Sequence, residues 1–81
     1  MYLHVGDERL IHNEEIIGIF NMQYIKNTRE YKSMYKDLEE NDNIIDLSEG
    51  EGKSFILVEK NKEKKGYVAK IGANTILKRL I

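Results

Sequence analysis

Phe55-Ile56-Leu57-Val58 is the stretch that most limits how this chain can fold. Successive side chains on a strand point to opposite faces, so four apolar residues in a row need cover on both. The run reads as a central strand. Tyr67-Val68-Ala69-Lys70-Ile71 pairs back onto it through a hairpin loop at residues 61–66 that is dense in lysine. Near the start of the chain, Leu3/Val5 and Ile17/Ile19 alternate as half-buried strands do. Gly6-Asp7 between them has turn chemistry, because glycine permits positive φ and aspartate bonds its own backbone. Residues 2–5 are expected to pair with residues 9–12 as a hairpin, with a third strand at residues 16–20 continuing the same sheet.

The helices announce themselves by a different period. Tyr31, Met34, Tyr35 and Leu38 recur at i, i+3, i+4 and i+7, one apolar stripe on an amphipathic helix. Lys32, Lys36, Asp37, Glu39 and Glu40 form its solvated face. Asn27 is the expected N-cap, with Glu30 three residues on completing a capping box. Asn41-Asp42-Asn43 ends the helix. Residues 22–26 read as a connection, Ile44-Ile45-Asp46-Leu47 as a short strand, and residues 48–52 as an acidic loop. A last short helix follows Gly72, capped near Asn74, with Ile76, Leu77 and Leu80 packing and Lys78-Arg79 near its C-terminus. The fold class is α+β: a small antiparallel β-rich domain with one main amphipathic helix and a short C-terminal helix.

Size and composition narrow the rest. Eighty-one residues, 41% of them hydrophobic and 33% charged, make one globular domain over residues 1–81. A core this small gains from self-association. There is no cysteine, hence no disulfide frame or thiolate metal site, and a cytoplasmic setting is expected. No apolar run approaches a membrane span, and the N-terminus lacks a signal-peptide layout. The charge is uneven: residues 1–52 hold 5 Lys/Arg and 12 Asp/Glu, whereas residues 53–81 hold 8 and 2. The two halves either complement each other within one fold or meet head to tail between subunits.

Enzymatic constellations find no support. Gly52-Lys53-Ser54 resembles the end of a phosphate-binding loop, but the required earlier glycine is Leu47 and a strand follows instead of a helix. His4 and His12, the only histidines, lie near Glu14 and Glu15 in the expected hairpin, yet nothing fixes a zinc geometry, and a structural role is favoured. No serine or threonine has a recognisable base partner. No cofactor, metal or small-molecule substrate is indicated. What remains is nucleic-acid contact: Lys53, Lys60, Lys62, Lys64 and Lys65 flank one strand pair, where they either neutralise phosphates or simply blunt a hairpin tip and edge.

Several short motifs also carry a resemblance: Tyr2-Leu3-His4-Val5-Gly6-Asp7, Ile16-Ile17-Gly18-Ile19-Phe20, Lys53-Ser54 leading into the Phe55–Val58 run, and Thr75-Ile76-Leu77-Lys78-Arg79. In that order and spacing the chain resembles the RemA/RemB-type regulators of extracellular-matrix (biofilm) genes in Gram-positive bacteria, and is most similar to the RemB-like branch. The resemblance implies a LytTR-like fold and a closed ring of identical subunits. It also implies double-stranded DNA as partner, held along a basic surface, with no enzymatic activity. In RemA-like members a G-R-R-T-R loop supplies arginines to DNA; here that stretch is Gly50-Glu51-Gly52-Lys53-Ser54, and a further arginine corresponds to Glu15. The resemblance therefore implies either DNA contact through other residues, Lys53 and the lysines at 60–65, or a scaffold of the same fold that does not touch DNA.

Overall fold

The computed structural model describes residues 2–6 and 9–80. Its elements run β1 (Tyr2–Gly6), β2 (Arg9–His12), a 3-10 turn (Asn13–Glu15), β3 (Ile16–Asn21) and α1 (Met22–Ile25), then α2 (Arg29–Glu40), β4 (Ile44–Asp46), β5 (Ser54–Lys60), β6 (Glu63–Ala69) and α3 (Ala73–Arg79). This is the expected small α+β class, but the larger sheet is mixed rather than antiparallel, because β4 pairs parallel with β6. The strands form two sheets: the β1–β2 hairpin alone, and a four-stranded sheet in the order β3-β5-β6-β4.

β5 is central, as its continuous apolar run requires. Phe55 and Ile56 are fully buried, and Leu57 and Val58 are nearly so. Side-chain alternation divides them between two cores. Ile56 and Val58, with Tyr67, Ala69 and Ile76, meet Leu3, Val5 and Ile11 of the N-terminal hairpin. Phe55 and Leu57, with Val68, meet Met22 and Leu38, and the half-buried Tyr31, Met34 and Tyr35 close that side. The predicted stripe on α2 is thus the lid of the second core. Tyr31 sets its ring edge-on to Phe55 at 5.3 Å between centroids, a favoured aromatic geometry. Behind Phe55 lies Gly66, where a Cβ would collide with the phenyl ring.

Several expectations need correction. The N-terminal hairpin pairs as read, Tyr2 opposite His12 and Leu3 opposite Ile11, but β3 does not continue its sheet. β3 instead crosses to pair antiparallel with β5, Phe20 opposite Phe55. Alternation identifies a strand without naming its partner. The Gly6-Asp7 turn lies partly outside the described residues; Gly6 itself has φ of +125°, a conformation suited to glycine.

Residues 22–25 are a short helix, capped by the Asn21 side chain accepting from the Gln23 amide. The cap of α2 is Thr28, not Asn27: its hydroxyl accepts from the Tyr31 amide and donates to the Ile25 carbonyl at 2.7 Å. Helix α3 starts one residue before Asn74, with Gly72 at the cap position and no capping side chain. Its Arg79 donates to the His4 carbonyl at 2.9 Å and ties the C-terminal helix to β1. The lysine-dense loop is shorter than expected. Strands extend to Lys60 and from Glu63, leaving a two-residue turn at Asn61-Lys62 with both φ values positive. That is the hairpin turn whose twist matches the flanking strands.

Candidate nucleic-acid interface

The basic residues singled out from the sequence are not gathered in one place. In the paired strands β5 and β6 the side-chain period of two sends neighbours to opposite faces. Lys60, Glu63 and Lys65 share the face of Val58 and Tyr67, beside Tyr2, Leu10, His12 and Glu15. Lys64 emerges on the other face, near Glu30, Met34 and Asp37 of α2. Lys62 occupies the turn, at φ +67°. Lys53 precedes β5 at its far end, roughly 20 Å from Lys60 at about 3.3 Å per strand residue.

Carboxylates accompany the hairpin lysines. Lys60 pairs with Glu15 at 3.8 Å and Lys65 with Glu63 at 4.0 Å. A third pair joins Lys70 to Glu49 at 3.6 Å. Two of these, Lys60–Glu15 and Lys70–Glu49, link the basic half of the sequence to the acidic half within one subunit. Apart from the half-buried Glu15 all partners are solvent-exposed, so the pairs have small energetic weight, but the first two lower the positive potential offered by the hairpin.

A different basic surface escaped the sequence reading. Arg29, Lys32 and Lys36 stand at i, i+3 and i+7 on α2, within an arc of roughly 60° on the helix. With Asn27 and Ser33 they line a shallow depression that contains no carboxylate among its walls. Lys26 is exposed in the turn that leads into the helix. Four of the five basic residues in the acidic half of the chain therefore fall on or beside the start of one helix. Counting charge along the sequence hid them among Glu30, Asp37, Glu39 and Glu40; the helical period brings the three cations together and carries Glu30 and Asp37 roughly 80–100° away from Arg29, while Glu40 stays on their side one turn after Lys36.

The histidines fall on the hairpin rather than in a constellation. Tyr2 lies opposite His12 and His4 opposite Leu10, so both imidazoles share one hairpin face two positions apart. His12 accepts from the Glu14 amide at 3.3 Å through Nδ1 and packs edge-on against Tyr2. Among the described residues no group of three His, Cys, Asp or Glu side chains converges as a metal site. Ser54, after Gly52-Lys53, opens a strand, and its hydroxyl is buried and bonded to the Ile71 carbonyl at 2.7 Å. Partial burial on the core side of α2 raises the phenol pKa of Tyr31 and Tyr35, with the neighbouring Tyr35 adding to the shift of the first and Glu39 to that of the second. Both keep their hydroxyls protonated at neutral pH, as their packing role requires.

Comparison with known families is decisive for the lineage. The model of the RemA-like family, extracellular matrix regulatory protein A-like, matches residues 2–80. The chain belongs to this family. The match spans both sheets and all three helices, so the whole RemA-like fold, not one motif, carries the relationship. No curated protein matches the RemA-like chain in sequence. Within the described residues no helix is long and apolar enough to cross a membrane.

Proposed function

We propose that this RemA-like protein is a non-enzymatic, homo-oligomeric regulator of extracellular-matrix gene transcription that works by holding DNA through its phosphates. The observation that carries this reading is the family match over residues 2–80. Self-association is supported by β3. Its second edge pairs with no strand among the described residues, it carries no charged residue, and its bulged Ile17 is 51% exposed, with Phe20 at 36%. Unprotected apolar edges of this kind are templates for pairing with another chain. Repetition of the subunit makes weak phosphate contacts avid. Lys53, Lys60, Lys62, Lys64 and Lys65 are dispersed over both faces of the hairpin and the far end of β5, so in this reading they add at most to the long-range positive potential.

A second reading is favoured by one observation: Glu15 and Glu63 sit on Lys60 and Lys65. In that reading the protein is a scaffold of the same fold that binds a protein partner and not DNA. Two measurements on one preparation separate the readings. Light scattering gives the assembly mass, and fluorescence anisotropy of a labelled AT-rich duplex across a salt series gives affinity. The regulator reading predicts a mass several times that of one chain and saturable binding that weakens steeply with salt. An assembly with no binding at low salt supports the scaffold, and a monomer that does not bind contradicts both.

A further inference from the structure

We infer that the surface meeting the nucleic-acid backbone is the solvent face of α2, with Arg29, Lys32 and Lys36 as phosphate contacts and Lys26 at its margin. This rests on the DNA-binding reading and assigns it a place. Two independent observations point there. The first is segregation of charge. Arg29, Lys32 and Lys36 line a concave surface without a carboxylate, and among the described residues none of the three is in an ion pair. Lys60, Lys65 and Lys64 line depressions that also hold glutamate or aspartate, and of the α2 set only Arg29, which also borders Glu30 and Asp37, shares such a surface.

The second observation is that the arrangement works against the helix bearing it. Lys32 and Lys36 are like charges at i, i+4, and Arg29 and Lys32 at i, i+3, spacings that repel. Arg29 occupies the first turn, at the positive end of the helix dipole, while the last turn has no basic residue and ends in Glu39-Glu40. Glu30 in the first turn and the i, i+4 spacing of Lys36 and Glu40 run the favourable way, but a helix whose charges served only its own stability would not set Arg29 and the Lys32/Lys36 pair against it. The positive dipole end and the cations instead add up, which is what an anion at this face needs.

The geometry also selects the partner. Arg29 to Lys36 spans roughly 10 Å along the axis, about three base-pair rises of duplex, so one helix face can follow consecutive phosphates. A lipid surface is the other polyanion of this scale. Amphipathic helices bind it by burying their apolar side, but Tyr31, Met34, Tyr35 and Leu38 are already committed to the second core.

The test is anisotropy with labelled duplex DNA on the full chain and on the triple variant Arg29→Gln, Lys32→Gln, Lys36→Gln. All three side chains are exposed and glutamine is a comparable helix former, so circular dichroism should match the parent. The single variant Lys32→Gln repeats the test with minimal disturbance. The triple variant is expected to lose at least tenfold in affinity at moderate salt, with the slope of log K against log salt shallower by about 3 for each engaged subunit. Lys32→Gln should lose about one unit of slope. Wild-type binding that both variants retain unchanged would overturn the placement on α2 while leaving the regulator reading intact. A wild type that ignores DNA but binds phosphatidylserine vesicles through these residues would overturn both.

Discussion

Helix α2 and the β5–β6 hairpin carry similar numbers of basic residues and use them in opposite ways. Lys60, Lys62, Lys64 and Lys65 crowd into six positions, whereas Lys26, Arg29, Lys32 and Lys36 spread over eleven. In sequence the hairpin looks like the stronger electrostatic feature. In space a period of two divides it between faces and sets Glu15 and Glu63 beside its lysines. A period of 3.6 gathers the sparser set onto one side of α2, with Asp37 at its border beside Arg29. Local density of charge is therefore a poor guide to an interface. What counts is the density left after the backbone has sorted the side chains.

The largest effect expected from breaking this contrast is on DNA affinity. Charge reversal of the helix set, Arg29→Glu with Lys32→Glu and Lys36→Glu, should cost at least about a hundredfold at low salt, because phosphate contacts become repulsions. The matched hairpin variant, Lys62→Glu with Lys64→Glu, should cost only a few-fold in the same anisotropy assay. Equal losses would erase the distinction drawn between the two regions.

The sorting itself depends on the shared central strand, whose register is held where the Phe55 ring packs on Gly66. Gly66→Ala should destabilise the fold by about 1–3 kcal/mol in urea unfolding, since the added methyl must displace a fully buried ring. A neutral result would mean that the ring moves freely and that the strand does not fix the two faces.

Thr28→Ala removes the hydroxyl that caps α2 and should cost about 1 kcal/mol. It should also weaken DNA binding a few-fold by loosening the turn that carries Arg29, with no effect on the hairpin. The smallest change is expected at Lys62, whose φ of +67° suits glycine better than lysine. Lys62→Gly should raise stability by up to about 1 kcal/mol and leave DNA affinity within twofold. A marked loss of binding would return the hairpin to the interface.

Much of the fold was legible in the sequence because periodicity reports local structure directly. The apolar run at Phe55–Val58 gave a central strand, and the stripe from Tyr31 to Leu38 gave the helix that covers it. Partners were less legible. The pairing of β3 with β5 joins residues more than thirty positions apart, and nothing in either strand's own alternation names the other. Caps were ambiguous for a local reason: Asn27 and Thr28 are both good N-cap residues, and the choice fell to the hydroxyl that also reaches the Ile25 carbonyl. The α2 surface is not legible in the same way, because Lys32 and Lys36 fall in a solvated face shared with Asp37, Glu39 and Glu40, and Arg29 joins them only once the cap at Thr28 sets where the helix starts.

The central claim, that α2 and not the hairpin meets DNA, is tested most directly by lysine acetylation footprinting. Reactivity of every lysine would be measured by mass spectrometry with and without saturating duplex. Protection of Lys32 and Lys36, with Lys62 and Lys64 reacting as in the free protein, is the predicted pattern. Protection confined to Lys60, Lys62, Lys64 and Lys65, with Lys32 and Lys36 unchanged, would contradict it.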